Sequence, residues 1–224
     1  MPPAGTAGEW HAVLLDVARA SSSVITACGR AWFAFSPAGD QAICADPGAS
    51  DTSYFAQSFR LIDVATASPI RSINTSVLPR ALLWTAGALL LAGLLDTDPN
   101  TLAVKDLLNG SSRVVYRLPP PSSSAQSAGY FGHGLAMFST KFSPDGGRLA
   151  FWAAECTALS FDPGYCARTS GVLIVLDLHD GSPRVVASAE LYDGSGAGPI
   201  AFSNDGAQLA YQIGTGIHVR PLPP

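Results

Sequence analysis

The chain has 224 residues, of which 47% are hydrophobic and only 13% charged, about half the roughly 25% charged content usual in soluble domains; a disordered chain is excluded. The net charge of −4 is spread without any cluster among the two lysines and eleven arginines, which excludes an electropositive binder of nucleic acid or anionic membrane. The 22 glycines and 17 prolines announce many turns, and the length suits one all-β domain.

In chain order, residues 1–9 read as a flexible N-terminus, and Met1-Pro2-Pro3-Ala4-Gly5-Thr6 has neither the basic start nor the apolar stretch of a secretory leader. Residues 10–27 supply two strands, AVLL before Asp16 and a second one after Ser21. Residues 31–73 form a unit of four strands, with a first turn at Phe35-Ser36-Pro37-Ala38-Gly39 and a last at Asp63-Val64-Ala65-Thr66-Ala67-Ser68. A second unit, 81–118, opens on the apolar run ALLWTAGALLLAGLL. Its fifteen residues fall short of the roughly 20 that a membrane-spanning helix needs, so they are read as two buried strands around Leu83-Trp84-Thr85-Ala86-Gly87. The tract PPPSSSAQS at 119–127 is linker chemistry and reads as a mobile loop. A third unit covers 135–189, and 199–222 supply the first three strands of a last one.

Two turn types recur through these units. Phe142-Ser143-Pro144-Asp145-Gly146 and Phe202-Ser203-Asn204-Asp205-Gly206 repeat the turn of Phe35, each leading into a short alternating strand. Independently, Asp16, Asp63, Asp106 and Asp177 head aligned hexapeptides ending in Ser, at intervals of 47, 43 and 71 residues. Gly supplies the positive φ such turns require, Ser and Asp bond locally, and Asn109-Gly110 and Asp180-Gly181 are strong hairpin signals. The four aspartates therefore read as turn caps rather than as a ring of ligands. Together the columns define an antiparallel unit of four strands, A to D, with the Ser turn joining A to B and the Asp turn joining C to D. The expected fold is all-β, a β-propeller of about four four-stranded blades plus a partial one: blades at 31–73, 81–118 and 135–189, partial ones at 10–27 and 199–222.

The FSPDG turn, the apolar B strand after it and the LDLHDGSPRVV hairpin at 176–186 resemble the WD-repeat-like propeller repeats of TolB-type proteins, which also occur in propeller domains attached to prolyl-peptidase-type hydrolases. The likeness spans about 10–222, is best at 142–188 and 200–213 and weakest at 81–118, and lacks the Trp-Asp dipeptide of eukaryotic WD repeats. It implies a bacterial propeller working in the periplasm or outside the cell. With one C strand left over, the ring either closes with four blades, belongs to a larger ring of six to eight blades, or is completed by self-assembly of two chains.

In such blades the A–B and C–D turns share one end, and the B–C and D–A loops share the other. The long insertions all fall at the second end, at 46–53, 74–79, 119–134, 154–170 and 190–198, where binding is expected. Asp46, Asp51, Asp96, Asp98, Glu155, Asp162, Glu190 and Asp193 there outnumber Arg30, Arg80 and Arg168. Tyr54, Tyr130, Phe131, Phe161, Tyr165 and Tyr192 lie among them, with His133 nearby. Acidic loops with aromatic anchors suit a basic peptide or protein partner; the plainer reading is a solvated acidic surface. The arginines of the outer strands, Arg71, Arg113, Arg117 and Arg184, read as edge protection.

Catalytic motifs are missing. Cys156 and Cys166 bracket one loop and are candidates for a disulfide, whereas Cys28 and Cys44 on apolar strands read as buried free thiols. No cysteine or histidine spacing suits zinc. Asp96-Thr97-Asp98-Pro99-Asn100 begins like a calcium loop, but Thr101 stands where the loop needs Gly and Leu107 where it needs Glu, leaving a tight turn. Asp193-Gly194-Ser195-Gly196 lacks the spacing of a nucleophile elbow. The sequence thus points to a non-enzymatic module that binds a protein or peptide and uses no cofactor, metal, nucleic acid or membrane span. The alternative is a propeller serving a hydrolase as a gating domain, or a lactonase-like metal-dependent ring.

Overall fold

The computed structural model describes residues 12–16, 21–25, 32–46, 58–119, 135–159, 166–192 and 197–223, with backbone alone at 12–16, at 21–25 and at some strand ends. Seventeen strands account for nearly all of the regular structure there. The chain divides into two compact units, residues 1–79 and 80–224.

In the first unit β1 (Ala12–Asp16) pairs with β2 (Ser21–Ile25) as a two-stranded sheet. Sheet I follows, with β3 (Phe33–Phe35), β4 (Gln41–Ala45), β5 (Ser58–Asp63) and β6 (Ser68–Asn74) in sequential antiparallel order. Sheet II, which belongs to the second unit except for the first three residues of its first strand, consists of β7 (Val77–Trp84), β8 (Leu89–Leu95), β9 (Asp98–Asp106) and β10 (Ser112–Arg117). In the second unit sheet III comprises β11 (Leu135–Phe142), β12 (Arg148–Leu159), β13 (Cys166–Asp177) and β14 (Pro183–Tyr192). Sheet IV has three strands, β15 (Ala197–Phe202), β16 (Gln208–Ile213) and β17 (Gly216–Pro221). Each four-stranded sheet coincides with a repeat unit read from the sequence. The apolar run at 81–95 is the end of β7, a tight turn and β8, and no helix among the described residues is long and apolar enough to cross a membrane.

The apolar runs are explained by burial on both faces of the inner strands. Even-numbered residues of β8 (Ala92, Leu94) and odd-numbered residues of β12 (Leu149, Phe151, Ala153) join Leu102, Val104, Ile174 and Leu176 in one core between sheets II and III. The other face of β12, with Ala150 and Trp152, packs with Leu173, Val175, Ile200, Leu209 and Tyr211 between sheets III and IV. Trp152 is fully buried, and its ring meets Tyr211 edge-on at 6.3 Å. Full burial of such side chains contributes about 1.5–3 kcal/mol each, which makes the second and third strands of each sheet the anchors of the fold.

The turns form as their residue types require. Ser143 Oγ accepts the Arg148 N–H at 2.8 Å and Ser203 Oγ accepts the Gln208 N–H at 2.9 Å. Ser36 Oγ accepts the Gln41 N–H at 3.0 Å, and in sheet II Thr85 Oγ1 takes the Ala88 N–H at the same distance. The glycines of the three longer turns, Gly39, Gly146 and Gly206, have φ of 74, 75 and 70°, where an L side chain is strained. At the C–D turns, Asp63 Oδ1 accepts the Thr66 N–H at 2.8 Å, Asp106 Oδ1 the Leu108 N–H at 2.9 Å and Asp177 Oδ1 the His179 N–H at 2.7 Å. These three aspartates are turn caps, as expected; the side chain of Asp16 lies outside the described residues.

Candidate functional site

The A–B and C–D turns form one end of the sheets and are joined by a repeated backbone bond. The residue just past strand C donates to the residue just before or at the start of strand B: Val64 to Asp40 at 2.9 Å, Leu107 to Leu89 and Leu178 to Gly147 at 2.8 Å, and Leu222 to Ala207 at 2.7 Å. At this end Arg148 clasps the last sheet, donating to the Gly206 carbonyl at 3.4 Å and the Pro223 carbonyl at 2.7 Å. It lines an open cavity of about 260 Å³ with Asp145, Asp205 and Leu222. The Ser143 hydroxyl, then the Gly147 N–H, hold the Asp145 carboxyl below its ordinary pKa, and Ser203 and Ala207 do the same for Asp205. These carboxylates are engaged by their own turns, so the cavity is walled by folding devices.

The opposite end differs from blade to blade. The B–C connection is a two-residue turn in sheet II, Asp96-Thr97, and in sheet IV, Gly214-Thr215. In sheet III it is far longer, although the expected loops at 154–170 and 190–198 are in large part strand. β11 starts at Leu135 opposite Glu155; β12 continues to Leu159, β13 begins at Cys166, and β14 reaches Tyr192 opposite Arg168. The other three strands thus continue up to four residues beyond the register of Leu135, the first described residue of β11, about 13 Å at 3.3 Å per residue. The 74–79 connection is likewise mostly strand, since β6 ends at Asn74 and β7 starts at Val77.

The expected site residues fare unequally. Glu155 is half-buried at the base of the projecting hairpin, Glu190 is exposed on β14, and Asp96 is exposed at the β8–β9 turn. Asp98 is a turn residue: its Oδ1 accepts the Asn100 N–H at 3.1 Å and its Oδ2 the Thr101 hydroxyl. In the first unit Asp46 is ion-paired with Arg60 at 2.9 Å, which cancels one charge of the acidic count. The register pairs Cys44 with Arg60 and Ala45 with Phe59, so Asp46 and Arg60 are diagonal neighbours, legible once the strand pairing is known. Arg80 lies half-buried in β7; its Nε is buried without a hydrogen-bond partner, and burial lowers its pKa below the ordinary guanidinium value. The backbones of Arg168 and Tyr192 are paired across β13 and β14. Asp51, Tyr54, Tyr130, His133, Phe161, Asp162, Tyr165 and Asp193 lie outside the described residues.

One cysteine reading is corrected. Cys44 is fully buried in β4 and is disulfide-bonded, not a free thiol. An apolar strand position fits a buried thiol and half of a disulfide equally well, so the sequence around Cys44 could not decide between them. The backbones of Cys156 and Cys166 sit on the β12–β13 hairpin, opposite Thr169 and Leu159 respectively; their side chains lie outside the described residues. Among the described residues no group of three or more His, Cys, Asp or Glu could hold a metal.

Sequential antiparallel sheets of three to four strands, built on the same recurring turns and packed face to face from sheet II to sheet IV, define a β-propeller fold. No protein-family model matches the chain, and no curated protein matches it. Solved structures do. The putative TolB from Agrobacterium tumefaciens aligns over 89% of this chain and 65% of its own, with a TM-score of 0.52 and 12% identity. Dihydro-heme d1 dehydrogenase NirN aligns over 96% of this chain and 40% of its own (TM-score 0.49, 19% identity). The acylaminoacyl peptidase of Pyrococcus horikoshii aligns over 77% and 26% (TM-score 0.46, 12% identity). The chain spans less than two thirds of each of these proteins.

Proposed function

We propose that the chain is a non-enzymatic β-propeller interaction module that binds a basic, extended segment of a protein or peptide at its B–C/D–A end. The observation that carries this reading is the prolongation of β12, β13 and β14 beyond the body of sheet III. Among the described side chains of β12 the last buried one is Ala154, and beyond it Glu155 is half-buried and Thr157 exposed. The segment 160–165 that joins the two long strands contains Phe161, Asp162 and Tyr165, an aromatic and acidic set suited to anchoring a cationic chain. The disulfide at Cys44 favours work in an oxidising compartment, the periplasm or outside the cell.

The test is titration of a panel of labelled arginine- and lysine-rich peptides, read by fluorescence anisotropy, against the parent and the Asp162→Lys/Glu190→Lys double variant. The expected result is saturable binding that falls at least about tenfold in the variant, a loss of roughly 1.4 kcal/mol, with thermal stability unchanged. Equal binding by both proteins would remove the assigned end from consideration.

A further inference from the structure

The C–D turns of sheets II and III are bonded alike, one on DLLNGS at 106–111 and the other on DLHDGS at 177–182. The Gly110 N–H donates to the Asp106 carbonyl at 2.8 Å, as the Gly181 N–H does to Asp177 at 3.0 Å. The Asp106 N–H donates to the Ser111 carbonyl at 2.8 Å, and the Asp177 N–H to Ser182 at 3.0 Å. Both glycines are left-handed, with φ of 80 and 77°. The residue before each glycine also plays one part in both turns. Asn109 Oδ1 accepts the Ser111 N–H and Asp180 Oδ1 the Ser182 N–H, each at 2.8 Å. That bond needs only an accepting oxygen on Cγ, which an amide and a carboxylate both supply. The turn therefore takes either group at this position.

Of the four asparagines, Asn109 alone precedes a glycine; Thr75, Thr101 and Asp205 follow Asn74, Asn100 and Asn204. Asparagine is a thermolabile residue, and its weakness lies in attack on the side-chain carbonyl by the next main-chain nitrogen. A following glycine, with no Cβ, leaves that approach open. In this step the Gly110 nitrogen bonds to Asn109 Cγ and gives up its proton, while the Cγ–Nδ2 bond breaks and ammonia leaves. Water then opens the cyclic imide. Cleavage of the new N–Cγ bond leaves aspartate at position 109, and cleavage of the main-chain carbonyl–nitrogen bond leaves isoaspartate. The closed turn holds both reactants back, since Gly110 N–H is bound to Asp106 and Asn109 Oδ1 is bound to Ser111. Both bonds must open before the attack.

We propose that Asn109 is a deamidation site gated by the opening of its turn, and that the aspartate product keeps every bond of that turn, as Asp180 does in sheet III. The isoaspartate product adds an atom to the main chain and breaks the Gly110–Asp106 bond. The test is timed incubation of the full chain in mildly alkaline buffer, followed by trypsin, which cuts after Lys105 and Arg113 and releases residues 106–113. The expected result is a gain of one mass unit in this peptide before any peptide that carries another asparagine. Its rate should be about tenfold below that of the same peptide free in solution, because two hydrogen bonds must open first. Asp106→Ala removes the acceptor of the Leu108 N–H and should speed the reaction severalfold. Sub-denaturing urea, which loosens the turn without a substitution, should do the same to the parent. Asn109→Asp should show no mass gain and should melt no lower than the parent. No gain at residue 109 after many half-times of the free peptide, an earlier gain at another asparagine, or equal rates in chain and peptide would each overturn the proposal. So would a lower melting point for Asn109→Asp. Far-ultraviolet circular dichroism separates a loosened turn from a lost fold in each variant.

Discussion

The two ends of the sheets obey different rules. At the A–B and C–D end every sheet repeats one scheme: a Ser or Thr hydroxyl accepts the first N–H of strand B, and the residue past strand C bonds back to the turn. At the other end the described connections are unequal; two-residue turns in sheets II and IV stand beside the long β12 and β13 strands of sheet III. An end built from the same local bonds in each repeat specifies the fold, whereas an end free of them can vary without unfolding it. This contrast is the reason the proposed binding is sought at the variable end.

The bluntest way to break the contrast is to remove the packing on which both ends depend. Trp152→Ala empties a fully buried site between sheets III and IV and should cost about 3–5 kcal/mol, measured by urea unfolding. Ser143→Ala acts at the repeated end alone. It leaves the Arg148 N–H without its acceptor in a buried turn and should cost about 1–2 kcal/mol, with the projecting hairpin still formed.

A third change sharpens the comparison in the opposite direction. Ala67 occupies the turn position held by Gly110 and Gly181 in the other C–D turns, and it has φ 52° where they have 80 and 77°. Ala67→Gly relieves that strain, so the melting transition should rise by about 0.5–1 kcal/mol of stability, the left-handed penalty less the entropy of the added glycine.

Acid should weaken the repeated end selectively. Turn hydrogen bonds lower the pKa of Asp63, Asp145, Asp180 and Asp205 from 3.8. Their stabilisation is present in full above that value and is lost as pH falls below it through the lower folded pKa values. Urea midpoints should fall as pH drops below about 4, and Asp145→Asn should flatten that fall. The smallest effect belongs to the variable end: Asp96→Lys with Glu190→Lys, both exposed, should shift stability by less than about 0.5 kcal/mol.

The same contrast explains what could be read from the residues. FSPDG, FSNDG and the Asp-headed hexapeptides were legible because their bonds span two to five residues, so the chemistry is written in adjacent letters. The Arg148 clasp was not, because its acceptors lie 58 and 75 residues away. The ends of β12 and β13 read as loop because the sequence from Glu155 to Thr169 mixes charged, polar, Pro and Gly residues with no sustained strand alternation, although both ends are strand. Asp98 was read both as a turn residue and as a surface charge, and its bonds to Asn100 and Thr101 favour the turn. Asp46 enters the acidic count in full because Arg60, across the strand, is invisible to a linear count.

The central claim, that the variable end binds while the repeated end only folds, is tested most directly by moving charge at each end in turn. One arginine-rich peptide would be titrated against Glu190→Lys and against Asn204→Lys/Ala207→Lys, a change of equal size at the exposed turn of sheet IV. The account predicts weaker binding, by about tenfold, for the first protein and parental binding for the second. Equal weakening in both would mean that net charge alone governs the interaction, and weakening in the second alone would place the interface at the turns.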